Sequence, residues 1–116
     1  MRDQCHDPAA FRALYGAEPT VQQLVLWDQN REMTARIAWK PYLFSQTLPM
    51  LLRGVRTPAL VLWGDHDRIV PEGCGRQYAA ALPQARFEVV PNAGHAAYLD
   101  QPAVVAARLT AFFASV

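Results

Sequence analysis

The stretch Leu60-Val61-Leu62-Trp63-Gly64-Asp65-His66-Asp67-Arg68-Ile69-Val70-Pro71 passes from an apolar segment straight into two acids and an arginine. Together with Ala59, its first half is a short, nearly continuous apolar run between a proline and a glycine. Such a run suits a strand covered on both faces, as in a parallel sheet flanked by helices. Asp65 and Asp67 then fall at the carboxyl tip of that strand. In open α/β sheets this is the edge where ligands bind.

Downstream, Pro71 to Leu82 reads as a helix with Pro71 and Glu72 at its start, and Tyr78, Ala79 and Leu82 able to face inward. Pro83 ends it. Arg86-Phe87-Glu88-Val89-Val90 reads as a second strand, and Gly94-His95 lies in the loop beyond it. Gln101 to Val116 is an amphipathic helix, with Val105, Leu109, Phe112 and Val116 on one stripe. Strand, helix, strand, helix predicts a βαβα unit on a parallel sheet with a right-handed crossover.

Upstream the pattern is helical. Asp7 and Pro8 provide an N-cap and a first-turn proline for a helix over 8–15, and Gly16 stops it. Residues 19–38 read as one long helix or two short ones, started by Pro19-Thr20, with a weak spot at Asp28-Gln29-Asn30. Val21, Leu24, Val25, Met33 and Ile37 mostly share one of its faces. Trp39-Lys40-Pro41 ends it, because a residue before proline is pushed out of the α region. Residues 42–47 read as irregular, and Leu48 to Leu52 as one helical turn leading to Gly54. The character changes near Arg56-Thr57-Pro58, which divides the chain into a helical segment, 1–55, and an α/β segment, 56–116.

Composition narrows the function classes. The chain has 116 residues, the size of one domain, and a net charge of +1 with scattered basic residues. Neither a nucleic acid nor an anionic membrane is indicated as a partner. No apolar run approaches the ~18 residues of a membrane span, and the start, Met1 to His6, holds no apolar h-region. The cytoplasm is the expected location. Cys5 and Cys74 are isolated and read as free thiols. His6, His66 and His95 lack metal-ligand spacing, so no metal site is expected.

The chemistry rests on Asp67 and His95. A histidine acting as general base needs a carboxylate on its second ring nitrogen, to fix the tautomer and stabilise the imidazolium. The acid belongs on a rigid strand end and the histidine on a loop that reaches it. Asp then His, one helix and one strand apart, satisfies both conditions at neighbouring strand tips. Each residue also has a plainer use: Asp67 as a turn or helix cap, His95 as an ordinary loop histidine. Trp39 and Trp63 fill cores more often than they line pockets.

The quoted residues resemble the C-terminal part of an α/β-hydrolase. The matching pieces are W-K-P-Y at 39–42 and L-P-x-L-L-R-G-V-R-T-P-A-L-V-L-W-G-D-H-D-R-I-V-P at 48–71. To these add F-E-V-V-P-N-A-G-H at 87–95 and Q-P-A-V-V…L-T-A-F-F at 101–113. The resemblance implies a doubly wound α/β sheet. It implies Asp67 as the acid and His95 as the base of a Ser/Asp-His-Asp triad acting on an ester, C–C or carbon–halogen bond. Asp65 falls where the family varies and receives no catalytic role. The resemblance further makes residues 7–41 the end of a helical cap, with Trp39 and Tyr98 as substrate-binding candidates. Triad chemistry implies no cofactor.

The nucleophile elbow, a G-x-[SD]-x-G turn, does not occur in the 116 residues; only Gly73-Cys74-Gly75 brings two glycines close. Ser45 and Ser115 have no elbow around them. By the resemblance the chain corresponds to the last third of an enzyme. A small-molecule substrate is expected once the missing half is supplied, and little activity without it. The alternative is a non-catalytic truncated product or a small interaction module, self-associating through an unpaired strand edge.

Overall fold

The computed structural model describes residues 4–16, 18–38 and 45–116. Its elements are α1 (Pro8–Tyr15), α2 (Val21–Ala38), α3 (Leu48–Leu52), β1 (Ala59–Gly64), α4 (Glu72–Ala81), β2 (Ala85–Val90), α5 (Ala97–Asp100) and α6 (Pro102–Phe113). Trp39, Lys40, Pro41 and residues 42–44 lie outside the described part, and with them the expected helix end at 39–41 and the W-K-P-Y piece.

Local chemistry accounts for the helix boundaries. Asp7 caps α1, its Oδ1 accepting the Ala9 N–H at 2.7 Å, and Pro8 occupies the first turn. Gly16 closes α1 at φ +83°, where its N–H bonds the Arg12 carbonyl at 2.8 Å. Thr20 and Gln23 form a capping box ahead of α2. The Thr20 N–H donates to Gln23 Oε1 at 2.8 Å, and the Gln23 N–H to Thr20 Oγ1 at 3.2 Å. α2 is one continuous helix of 18 residues. The Asp28–Arg31 pair at 2.7 Å spans the expected weak spot, and the Glu32–Arg36 pair at 2.6 Å follows it at helical spacing. Its apolar face meets no core: Val21, Leu24, Val25, Met33 and Ile37 are all exposed.

β1 and β2 pair in parallel, from Ala59 opposite Ala85 to Gly64 opposite Val90. α4 makes the crossover and packs on the face that carries Trp63 and Phe87. Gly75 of α4 lies so close to both rings that a Cβ there would overlap the Trp63 indole. The Arg76 guanidinium sits 4.7 Å from the Phe87 ring centre. α6 covers the opposite face. Arg108 donates to the Val89 carbonyl at 2.8 Å and lies 3.5 Å from Glu88, while Arg86 sits 5.3 Å from the Phe112 ring centre.

Several expectations are corrected. β1 is half-buried up to Gly64 rather than fully buried, because two helices and one neighbouring strand cannot enclose it. Tyr78 points to solvent, and so do Leu109 and Val116, leaving Phe112 as the buried member of the α6 stripe. α5, a single turn between the His95 loop and α6, is too short for the sequence to show its periodicity. The buried apolar residues among those described are Cys5, Val90, Ala93, Ala96 and Phe112. Three of them belong to the end of β2 and the His95 loop, so the tightest packing lies at the carboxyl edge of the sheet.

Candidate active site

The register that sets Gly64 beside Val90 makes the two following loops leave the sheet side by side. Backbone bonds join them: the Asp65 N–H reaches the Val90 carbonyl at 3.1 Å and the His66 N–H the Ala93 carbonyl at 2.9 Å. Gly64 lies directly under the crossing, where a Cβ would overlap the carbonyl oxygens of Ala93 and Gly94. Glycine is therefore required by close approach of backbone. Asn92 makes the turn after β2 at φ +53°, a region asparagine tolerates better than most residues.

The two acids of the β1 tip have different partners. Asp67 Oδ1 accepts the N–H groups of Ile69 and Val70, both at 2.9 Å, which forms the turn. Its Oδ2 lies 2.9 Å from His95 Nδ1. The Asp67 side chain is only 3% exposed and that of His95 is 40% exposed. Burial pushes the Asp67 carboxyl up, but the Val70 amide, the His95 ring and the Ile69 amide together outweigh it and hold the group below the usual carboxylate range. An ionised carboxylate can only accept, so Nδ1 carries the proton and Nε2 is left unprotonated. The Trp63 indole N–H braces the same turn through the Val70 carbonyl at 3.1 Å.

Asp65 instead ties the two loops together. Its Oδ1 accepts the Ala93 N–H at 3.1 Å and pairs with His66 Nδ1 at 2.6 Å. Burial raises this carboxyl too, yet the His66 ring and the Ala93 and Asn92 amides bring it down to about 2. The His66 ring in turn stacks on His6, with centres 4.0 Å apart.

Asp100 escaped the sequence reading. At the end of α5, its Oδ2 accepts the N–H groups of Gly94 and His6, both at 2.7 Å, and its Oδ1 accepts that of Asp7 at 3.0 Å. The signal available was an acid standing between His95 and the Gln-Pro that opens α6. Its partners are backbone amides, which no side-chain pattern reveals. Cys5, buried in the same region, is a free thiol, pushed up by burial and by the charges of Asp100 and Asp7; that argues against a nucleophilic role.

A hollow of about 90 Å³ opens at the pair, lined by Leu62, Trp63, Gly64, Asp67, His95 and Ala97. Pockets for small organic ligands run from roughly 300 Å³ upward, so these walls alone do not house one. Tyr98 is exposed on α5 and is not part of this lining. Trp39 lies outside the described residues. Among the described residues no group of three His, Cys, Asp or Glu side chains could hold a metal ion, and no helix is long and apolar enough to cross a membrane.

The family model for the alpha/beta hydrolase fold matches residues 10–102. The chain belongs to the alpha/beta hydrolase fold family. BpoC of Mycobacterium tuberculosis, which carries a non-heme bromoperoxidase name, is 38% identical to this family member over 64 residues, covering 55% of this chain and 24% of BpoC. The uncharacterized carboxylesterase nap of Bacillus subtilis is 33% identical over 91 residues, covering 77% of this chain and 29% of its own. The solved structure of Rv0554 from Mycobacterium tuberculosis superposes with a TM-score of 0.59 at 36% identity, over 62% of this chain and 26% of that one. This hydrolase-family chain thus spans about a quarter of the length of relatives such as BpoC.

Proposed function

We propose that Asp67 and His95 are the acid and the general base of a nucleophile-His-acid triad, and that an ester is the substrate class. The bond between Asp67 Oδ2 and His95 Nδ1 at 2.9 Å carries the reading; the carboxylesterase name of nap favours the ester over a C–C or carbon–halogen bond. His95 Nε2 takes the proton of the attacking hydroxyl as it adds to the ester carbonyl, then returns it to the leaving alcohol. A water, deprotonated by the same Nε2, cleaves the acyl intermediate. Asp67 keeps the ring oriented and stabilises its charged form.

The attacking group and the oxyanion donors come from chain outside these 116 residues, in a segment that also completes the sheet and the pocket walls. The exposed surface supports such a covering. It measures 8571 Å², against about 6,300 Å² for a compact monomer of this mass. The excess is more than the ~800 Å² per partner of a standard interface.

The test is complementation. The chain is fused behind, or co-expressed with, an α/β-hydrolase N-terminal portion bearing a serine elbow, G-x-S-x-G, and hydrolysis of a small aryl ester is followed. A gain over the N-terminal portion alone, abolished by His95→Ala, is expected; absence of either refutes the reading. The same surface excess favours one second reading, a non-catalytic module that pairs with itself through the open sheet edges. Size-exclusion of the chain alone distinguishes it: a monomer at all concentrations rules out self-pairing.

A further inference from the structure

His95 lies between two anchored amides. On one side the Gly94 N–H donates to Asp100 Oδ2 at 2.7 Å; on the other the Ala96 N–H donates to the Gln4 carbonyl at 2.6 Å. The same carboxylate of Asp100 accepts the N–H groups of His6 and Asp7, at 2.7 and 3.0 Å, from the other end of the chain. Residues 4–7 therefore form a strap laid across the His95 loop. The fit is close: a Cβ on Gly94 would stand 2.8 Å from the His6 nitrogen and 2.9 Å from the Gln4 oxygen. Cys5, Ala93 and Ala96 are buried around it. Asp7 also caps α1, so the first turn of α1, the strap, the His95 loop and α5 share one hydrogen-bonded block.

We propose that Asp100 is a positioning residue for His95: by clamping the Gly94 amide and the strap together, it keeps the imidazole where Nδ1 meets Asp67. This rests on the reading of Asp67 and His95 as a triad pair. The physical reason is geometric. His95 is on a loop, its ring is substantially exposed, and one bond of 2.9 Å defines its direction. A backbone shift of about 1 Å is enough to lose a catalytic alignment and about 100-fold in rate. Amide bonds to a carboxylate are charge-assisted and resist such a shift more strongly than neutral ones. A neutral amide at position 100 would turn an NH₂ toward at least one of the three N–H groups.

The experiment is imidazole ¹⁵N NMR of the histidine-labelled chain, in the wild type, Asp67→Asn, Asp100→Asn and Gly94→Ala. The wild type is expected to show His95 as a single tautomer protonated at Nδ1. Asp67→Asn is expected to lose that fixed tautomer. Asp100→Asn and Gly94→Ala are expected to lose it as well, although Asp67 and its turn are untouched. A fixed tautomer retained in Asp100→Asn but lost in Asp67→Asn overturns the clamp and leaves the pair standing. A tautomer indifferent to Asp67→Asn overturns the pair reading and the clamp with it. Amide exchange in the wild type covers the case of a variant that does not fold. The Gly94, Ala96, His6 and Asp7 amides should exchange together, at least about tenfold slower than the exposed Arg68 amide. Exchange of Gly94 and His6 at the Arg68 rate, with the His95 tautomer still fixed, would overturn the proposal. In the complemented enzyme, Asp100→Asn should lower kcat about 100-fold with KM held, whereas a purely structural staple would leave kcat per folded molecule unchanged.

Discussion

Replacing Asp67 by asparagine and by alanine separates its two jobs. Asp67 Oδ1 closes the turn through Ile69 and Val70, and Oδ2 holds His95. Asparagine keeps an acceptor for the two amides but presents an NH₂ where the Nδ1–H must be received. Alanine removes both functions. Hydrogen bonds to a charged group contribute about 1.5–3 kcal/mol and neutral ones about 1. Asp67→Asn, which trades charged bonds for neutral ones, should therefore cost about 1 kcal/mol. In Asp67→Ala the exposed Ile69 amide recovers water while the part-buried Val70 amide does not, giving a loss of about 2–3 kcal/mol. At roughly 5 °C per kcal/mol for a domain of this size, the two variants should differ by about 5–10 °C in Tm. Thermal unfolding followed by tryptophan fluorescence suits the measurement, because the Trp63 indole is bonded to the Val70 carbonyl of the same turn. In the complemented enzyme both variants should lose activity, Asp67→Asn by about 10⁴-fold through the wrong tautomer. If asparagine proves as destabilising as alanine, the division of labour between the two oxygens is wrong. If either variant retains activity, Asp67 is a turn residue and no more.

Gly64→Ala drives a methyl into two backbone carbonyls that no rotamer change can move aside, so it should cost about 3 kcal/mol, the upper part of the overpacking range. It should also release the His95 tautomer in the same NMR experiment; unchanged stability would show that the loops do not cross as described. Asp65 has a carboxyl lowered from 3.8 to about 2, so its contribution is complete above about pH 4 and is lost as pH falls toward 2. Because the group is about a third exposed, screening leaves on the order of 1 kcal/mol. Asp65→Asn should flatten acid unfolding between pH 4 and 2, and an unaltered pH profile would remove Asp65 as the tie between the loops.

Local signals were readable wherever a few neighbouring residues decide the backbone. Asp7-Pro8 and Gly16 bound α1 because capping and positive φ are matters of adjacent groups. The apolar runs at 59–63 and 86–90 became parallel strands because their spacing permits little else. The two acids at the tip of β1 could not be separated on spacing alone; resemblance to a family singled out Asp67, and the structure shows that it is the one bonded to His95. The face of α2 was legible as apolar, but whether anything covers it was not, since burial is a property of neighbours.

What the chain dictates by itself is the alternation of strand and helix, because dihedral preference and hydrogen bonding within three or four residues suffice for it, and the order of acid and histidine, which is written in the sequence directly. What only the folded molecule decides is the meeting of distant backbones. Asp100 accepts from His6, 94 positions away in the sequence, while also holding Gly94, and Gly64 makes room for carbonyls of another loop. Such contacts arise from chain closure in three dimensions, and the partners are peptide groups that every residue carries alike.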